Sequence, residues 1–251
     1  RRGAPLNSVV RMDTTPQDIT VEGLTRRFGD FTAVDHVDFT VEQGLMTGFV
    51  GGNGAGKTTT MRMIMGVLSV TEGRVLWGDR PITTADQRTI GYMPEERGLY
   101  PKQKVLDQLI YLGQLKGLSR TAARRSVMNL LERLHLADRA HDPVESLSLG
   151  NQQRVQIAAA LTIEPAALIL DEPFSGLDPD AVDSMADLLR EHTARGVPVL
   201  FSSHQLDLVD RLCDSLVVLS GGRVLAAGAA DDLRRTGPRR HRLRCEQDTG
   251  W

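Results

Sequence analysis

The sequence predicts an α/β fold with a mostly parallel sheet, an N-terminal antiparallel β subdomain and an inserted α-helical subdomain. Three observations predict it. A glycine-rich turn, Gly51-Gly52-Asn53-Gly54-Ala55-Gly56, joins a short apolar run to a helix-like segment. A continuous apolar run, Ala166 to Leu170, suits a strand buried on both faces. Beyond it strands and helices alternate, which implies parallel pairing.

Ile19 to Leu24 reads as the first strand, and Arg26-Arg27-Phe28-Gly29 as the turn after it. Val37 to Val41 is the second strand, and Glu42-Gln43-Gly44 turns the chain into the apolar run Leu45 to Val50. The helix beyond the glycine turn spans Thr59 to Met65, and Gly66 ends it. Gly73 to Gly78 and Thr89 to Met93 are short strands, so this half is β-rich. The character changes near Pro101. Val105 to Leu118 places Val105, Leu109, Leu112 and Leu115 on one helical face, and Thr121 to Leu136 repeats the pattern. These helices form an insert spanning roughly residues 95 to 150. The core resumes at Ala166. A helix is expected near Ala181–Arg195, a strand at Val197–Phe201, a helix near Leu206–Leu212 and a strand at Ser215–Leu219.

The glycine turn carries chemistry. Gly51, Gly56, Lys57 and Thr58 fit the phosphate-loop pattern G-x-x-x-x-G-K-[ST]. Strand, glycine turn and helix are the context that the motif needs, so the core reads as a phosphate-loop NTPase. The glycines let the backbone curl and point its N–H groups at a phosphate. Asn53, Ala55 and Thr59 complete the cradle, and the helix N-terminus adds partial positive charge. Lys57 can reach the β- and γ-phosphates of ATP, and the Thr58 hydroxyl can bind Mg²⁺. A second site follows the buried run, where Leu170 leads into Asp171 and Glu172. Adjacent residues of an extended chain point in different directions, which permits two roles. Asp171 can hold the Mg²⁺ hydration shell, and Glu172 can polarise an attacking water. Two buried carboxylates without a cation are costly, so the pair itself argues for a metal.

Composition sets the limits. The chain has 251 residues, 41% hydrophobic and 25% charged, with net charge −2, so nothing global points to nucleic acid. Arginines crowd residues 234 to 244, but no aromatic residues interleave them, and nucleic acid is not expected as a partner. No apolar run approaches a membrane span, so membrane work would need a spanning partner. Two cysteines, Cys213 and Cys245, lack metal-ligand spacing and suit a reducing cytoplasm as structural thiols. Residues 1–18 read as a disordered leader with Met12 near a natural start. Residues 237–251 read as a basic tail, and the alternation at His241, Leu243 and Cys245 is consistent with the start of a further domain.

Several segments resemble, in the right order, the motifs of ABC-type ATPases. Leu147-Ser148-Leu149-Gly150-Asn151-Gln152-Gln153-Arg154 resembles the signature segment, Ser175-Gly176-Leu177-Asp178 the D-loop, and Ser202-Ser203-His204 the switch histidine after a strand. Phe28 stands where an aromatic residue stacks on adenine, and Tyr92-Met93-Pro94-Glu95 resembles the Q-loop. The likeness covers about Ile19 to Leu233, and residues 19–236 are the expected ATPase domain. Pro94 to Pro101, Leu147 to Gln153 and Asp171 to Pro179 look like ATPase subunits of two-component sodium- and multidrug-efflux exporters.

The resemblance implies an ATP-hydrolysing subunit that dimerises on ATP and powers transport through a separate multi-span permease. Such a subunit is cytoplasmic and peripheral on the inner face of the membrane. Ser148, Gly150, Asn151 and Asp178 would meet the nucleotide of a second copy, and His204 would hold the γ-phosphate in line. A solitary regulatory ATPase acting on a soluble partner is the alternative. Four positions depart from the usual pattern: Gly52 stands for proline, Leu149 for glycine, Asn151 for glutamine and Glu95 for the Q-loop glutamine. A carboxylate at Glu95 can still contact Mg²⁺ but adds negative charge beside the phosphates.

Overall fold

A computed structural model describes residues 15–96 and 98–236. Most of the expected leader, the basic tail with its alternating stretch, and Cys245 lie outside the described residues.

The chain opens with a hairpin, β1 (Ile19–Phe28) and β2 (Phe31–Val41), and then sends β3 (Met46–Val50) into a second sheet. After α1 (Lys57–Ile64), β4 (Glu72–Trp77) returns to pair with β1, and β5 (Arg80–Pro81) pairs with β4. This first sheet, in the order β2-β1-β4-β5, is antiparallel throughout. The first turn was expected over Arg26–Gly29, but Arg26 to Phe28 belong to β1. The reversal is tighter: Phe28 sits opposite Phe31, and Gly29 takes the left-handed φ of 56° that the turn requires. Strand β2 accordingly starts six residues before the expected Val37.

A short helix, α2 (Thr84–Thr89), escaped the sequence reading. Five polar residues and Ala85 hold no apolar period; a capping box makes it instead. Thr83 caps the Asp86 amide, Asp86 returns a bond to the Thr83 amide at 2.8 Å, and Arg80 grips Asp86 at 2.7 Å. These bonds hold the Asp86 carboxyl well below the usual carboxylate range, the Arg80 guanidinium foremost.

The second sheet runs β10-β9-β3-β8-β7-β6. Its members are β6 (Ile90–Met93), β7 (Ala167–Leu170), β8 (Val199–Ser203), β9 (Ser215–Ser220) and β10 (Arg223–Ala229). Neighbours from β9 to β6 are parallel, and only β10 runs antiparallel at one edge. The alternation of side chains explains the apolar run in β7. Leu168 and Leu170 face one core with Val199 and Phe201; Ala167 and Ile169 face the other with Leu200. The first core is closed by α3 (Val105–Leu115) and α4 (Arg120–Arg133) through Leu106, Leu109 and Leu131. The second is closed by α1 and the antiparallel sheet through Met61, Ile64, Ile19 and Val21.

Two expectations on faces and bounds need correction. The inward face of α3 is Val105, Leu106, Leu109, Ile110 and Gly113, while Leu115 is 65% exposed. Gly113 lies close against Ala123 of α4, so the helices approach too closely there for a large side chain on that line. Strand β8 runs two residues further than expected, which makes Ser202 and Ser203 its last members. Strand β10 and the closing helix α8 (Ala230–Thr236) were not anticipated either; β10 is largely exposed and carries no buried stripe to read.

His192, in the last turn of α6 (Pro179–Thr193), is 5% exposed and its Nδ1 faces the Arg195 guanidinium at 2.9 Å. Burial, then the nearby charges of Arg195 and Arg133, push its pKa down to about 4, against a smaller raising effect of Glu191. The folded state therefore binds this proton less readily than the unfolded chain. Its contribution is full above pH ~6.5 and is lost as pH falls toward 4, on the order of 3 kcal/mol at most. Denaturant titrations between pH 7 and pH 4.5 should show a loss of stability that is measurably shallower in His192→Gln.

Candidate functional site

The strand β3 delivers the glycine loop, and the loop delivers α1, as the motif requires. Gly56 caps α1 with φ 105°, a conformation that side chains other than glycine rarely adopt. Lys57 begins the helix and is 8% exposed; its Nζ donates to the Gly51 carbonyl at 2.7 Å and the Gly52 carbonyl at 3.3 Å. The ammonium is thus held over the loop. Thr58 donates from Oγ1 to Glu95 Oε2 at 3.3 Å, which brings the sixth-strand loop to the start of α1.

The register of β7 against β8 builds the acidic half. Leu170 pairs with Phe201, so the next residues, Asp171 and Ser202, meet just beyond the strand end. Ser202 Oγ donates to Asp171 Oδ1 at 2.5 Å and accepts the Glu172 amide at 2.8 Å. One hydroxyl thereby fixes both carboxylate residues. Asp171 is 1% exposed, and its Oδ2 is buried with no hydrogen-bond partner. Glu172 has a left-handed φ of 52°, a backbone cost of about 1–3 kcal/mol for a residue of this type. Gln153 helps to hold it: Nε2 donates to the Glu172 and Pro173 carbonyls at 2.8 and 3.0 Å. The Glu172 carboxylate lies 3.0 Å from His204 Nδ1, immediately after β8.

These groups converge on a pocket of about 390 Å³. Phe28, Asn53, Gly54, Ala55, Gly56, Lys57, Thr58, Thr59, Glu95, Asp171 and Glu172 line it together. Gly51, Gly52, His204, Ser148, Gly150, Asn151 and Asp178 do not line it; Gly51 and Gly52 lie under Lys57, and His204 reaches it only through Glu172. Ser148 instead caps α5 (Leu149–Ala160) by accepting the Asn151 amide at 3.3 Å, and Asp178 caps α6 by accepting the Ala181 amide at 2.8 Å. The sequence reading missed Ser202, Gln153 and Phe31. Ser202 had a signal, since parallel neighbours bring strand-end polar residues together. Gln153 stands in the segment that resembles the signature, but its bonds to the Glu172 and Pro173 carbonyls follow only from the position of α5.

The donor set fits a small hard cation. The orphaned Asp171 oxygen, the Thr58 hydroxyl and the Glu95 carboxylate are all oxygen donors, as Mg²⁺ prefers. Among the described residues no group of three His, Cys, Asp or Glu side chains could hold a metal alone.

A family model described as ABC transporter matches residues 34–175, which runs from β2 through the glycine loop and α5 to the Asp171–Glu172 corner. The chain belongs to the ABC transporter ATP-binding family. A second, shorter model, described as AAA domain, putative AbiEii toxin, Type IV TA system, matches residues 143–210. An uncharacterized ABC transporter ATP-binding protein of Bacillus subtilis is 45% identical over 218 residues, covering 87% of this chain and 73% of that protein. The Nod factor export ATP-binding protein I of Ralstonia nicotianae is 36% identical over 86% of this chain and 68% of its own length. A solved structure of an ATP-binding subunit of an ABC transporter superposes with TM-score 0.78 and 34% identity, covering 86% of this chain and 92% of its own. The ABC subunit is thus an ATPase that binds adenine nucleotide, in a family whose members dimerise and work with membrane permeases. No helix among the described residues is long and apolar enough to cross a membrane.

The first two loop glycines differ in what surrounds them. A Cβ on Gly51 would lie 2.5 Å from the Leu219 carbonyl oxygen and 2.9 Å from Ala55 Cβ, whereas one on Gly52 meets nothing within 4 Å. Gly51→Ala should therefore distort the loop and weaken ATP binding at least tenfold, while Gly52→Ala binds within about twofold of the parent (a tenfold change is about 1.4 kcal/mol). Calorimetric titration with ATP reads both.

Proposed function

We propose that this ABC subunit binds Mg²⁺·ATP between Phe28 and the Asp171–Glu172 corner, closes into a dimer around it, and powers export through a separate multi-span permease. The observation that carries the reading is the Ser202 bridge. It gives the two neighbouring carboxylates different environments: Asp171 buried with one oxygen free, Glu172 turned toward His204 at the pocket. Lys57 and the loop amides bind and orient the phosphates. Thr58, Asp171 and Glu95 are the residues that would hold Mg²⁺, whose charge would offset that of the phosphates. Glu172 takes the proton of the attacking water, and His204 orients Glu172 and the γ-phosphate. Ser148, at the exposed start of α5 with Gly150 and Asn151, and Asp178, at the start of α6, serve the nucleotide of the second copy. A symmetric pair then holds two such sites across one isologous interface. The export direction rests on the likeness to the Nod factor export subunit and on the efflux-type wording of the motifs. The cassette spans residues 19–236 and sits on the inner face of the membrane through its permease.

The permease has a candidate seat. A groove of about 970 Å³ lies between α3 and the sheet, walled by Tyr92, Leu99, Leu112 and Leu115. Lys116 and Arg88 line it and no acidic residue does. Burial lowers the Lys116 pKa, and its Nζ has a carbonyl partner, that of Ile90, at 3.3 Å. Gln156 Nε2 is buried there without a partner. Such a groove suits an apolar helix of the permease that carries a carboxylate. Pro94 lines the groove and the next residue, Glu95, accepts from Thr58, which offers a route by which nucleotide occupancy moves that seat.

Two outcomes test the reading. Glu172→Gln keeps the shape of the side chain but cannot take a proton. It should bind ATP, lose at least a hundredfold in hydrolysis and accumulate as an ATP-held dimer by light scattering; a monomer that hydrolyses normally would remove Glu172 from the base role. Lys116→Glu sets a carboxylate against the one proposed on the permease helix. It should abolish copurification with the permease while ATP binding by the isolated subunit stays unchanged.

A further inference from the structure

The pocket presents two aromatic rings to solvent. Phe28 is 46% exposed and Phe31 is 66% exposed, both lining the same pocket as the phosphate loop. They are register partners across the β1–β2 turn. Among the described residues the paired rings are Phe39 with Phe49 and Phe174 with Phe201, so neither pocket ring is stacked on another ring. Phe28 is nevertheless fixed. The Arg26 guanidinium lies 4.5 Å over its ring centroid, and Arg26 Nη1 is anchored to the Ser69 carbonyl and hydroxyl, both at 2.8 Å. One face of the Phe28 ring is thereby backed by a cation that cannot swing away freely. Two residues along β2 from Phe31, on the same side of the strand, Ala33 also lines the pocket, and its methyl leaves room beside the ring. Two exposed rings side by side at the edge of a polar pocket offer a flat ligand a stacking surface.

We propose that Phe31 supplies a second aromatic surface for the nucleotide base, and that Arg26 is a positioning residue that holds Phe28 in its stacking orientation. The inference rests on the reading of this pocket as the ATP site. Stacking contact with a base does not depend on the phosphates, whereas the loop and Lys57 contact only the phosphates. The two contributions therefore separate by ligand.

The test is calorimetric titration of the full chain with Mg²⁺ and either ATP or inorganic tripolyphosphate, which has no base. Phe31→Ala should weaken ATP about tenfold and leave tripolyphosphate unchanged, and Phe31→Trp should restore ATP. Arg26→Ala should show the same split, with Arg26→Lys recovering part of the loss, since a merely structural role would weaken both ligands together. In Phe31→Trp, ATP should quench indole fluorescence beyond the change seen in the parent, while tripolyphosphate should not. Unchanged ATP affinity in Phe31→Ala, equal loss of both ligands, or no added quenching would overturn the role of Phe31; an Arg26→Ala variant that binds ATP normally would overturn that of Arg26. A parent protein that binds neither ligand would instead refute the ATP site itself, and the aromatic grip with it.

Discussion

A carboxylate that is almost wholly buried must be satisfied, and Asp171 is satisfied on one side only. Its Oδ1 takes the Ser202 hydroxyl; its Oδ2 takes nothing from the protein. Leaving such an oxygen dry costs on the order of 1–3 kcal/mol or more, so the fold holds a debt that a cation and its water can settle. Much of the surrounding architecture serves that one placement. β7 and β8 lie parallel and in register so that Ser202 reaches Asp171. The cores on both faces of the sheet exclude water from it.

The same hydroxyl couples the two carboxylates of the proposed catalytic corner. Because Ser202 also accepts the Glu172 amide, the positions of Asp171 and Glu172 are not independent. Gln153 extends the linkage to α5, the helix that Ser148 caps. A shift of α5 on meeting a second copy would be felt at the Glu172 backbone through a single side chain. That gives a physical route by which dimer closure and hydrolysis inform each other.

Much of this was legible in the chain itself. The glycine loop between strand and helix, the order of strands and helices from Ala166 to Leu219, and the buried β7 run follow from periodicity and turn chemistry, and each stands where expected within a few residues. What was not legible depended on neighbours. α2 rests on a capping box and an Arg80 contact rather than an apolar stripe. Leu115 obeys the helical period yet stays exposed, because Gly113 and Ala123 set how α3 and α4 meet. The turn before Phe31 was misplaced because Arg26 and Arg27 look like loop residues, although in β1 they pair across to Val34 and Thr32. At the site, Ser202 and Gln153 stand inside motif segments, but their hold on Asp171 and the Glu172 backbone shows only once β8 and α5 are in place.

The left-handed backbone at Glu172 sets stability against activity at one position. Its φ of 52° suits glycine or asparagine far better than glutamate. On the base role proposed for Glu172, a selection that rewards only heat resistance would find replacing it among its easier gains and would return a tougher protein without that role. The strain at this peptide thus falls on the residue proposed as the base. In any consensus or stabilisation redesign of the cassette, it is the residue to hold fixed first.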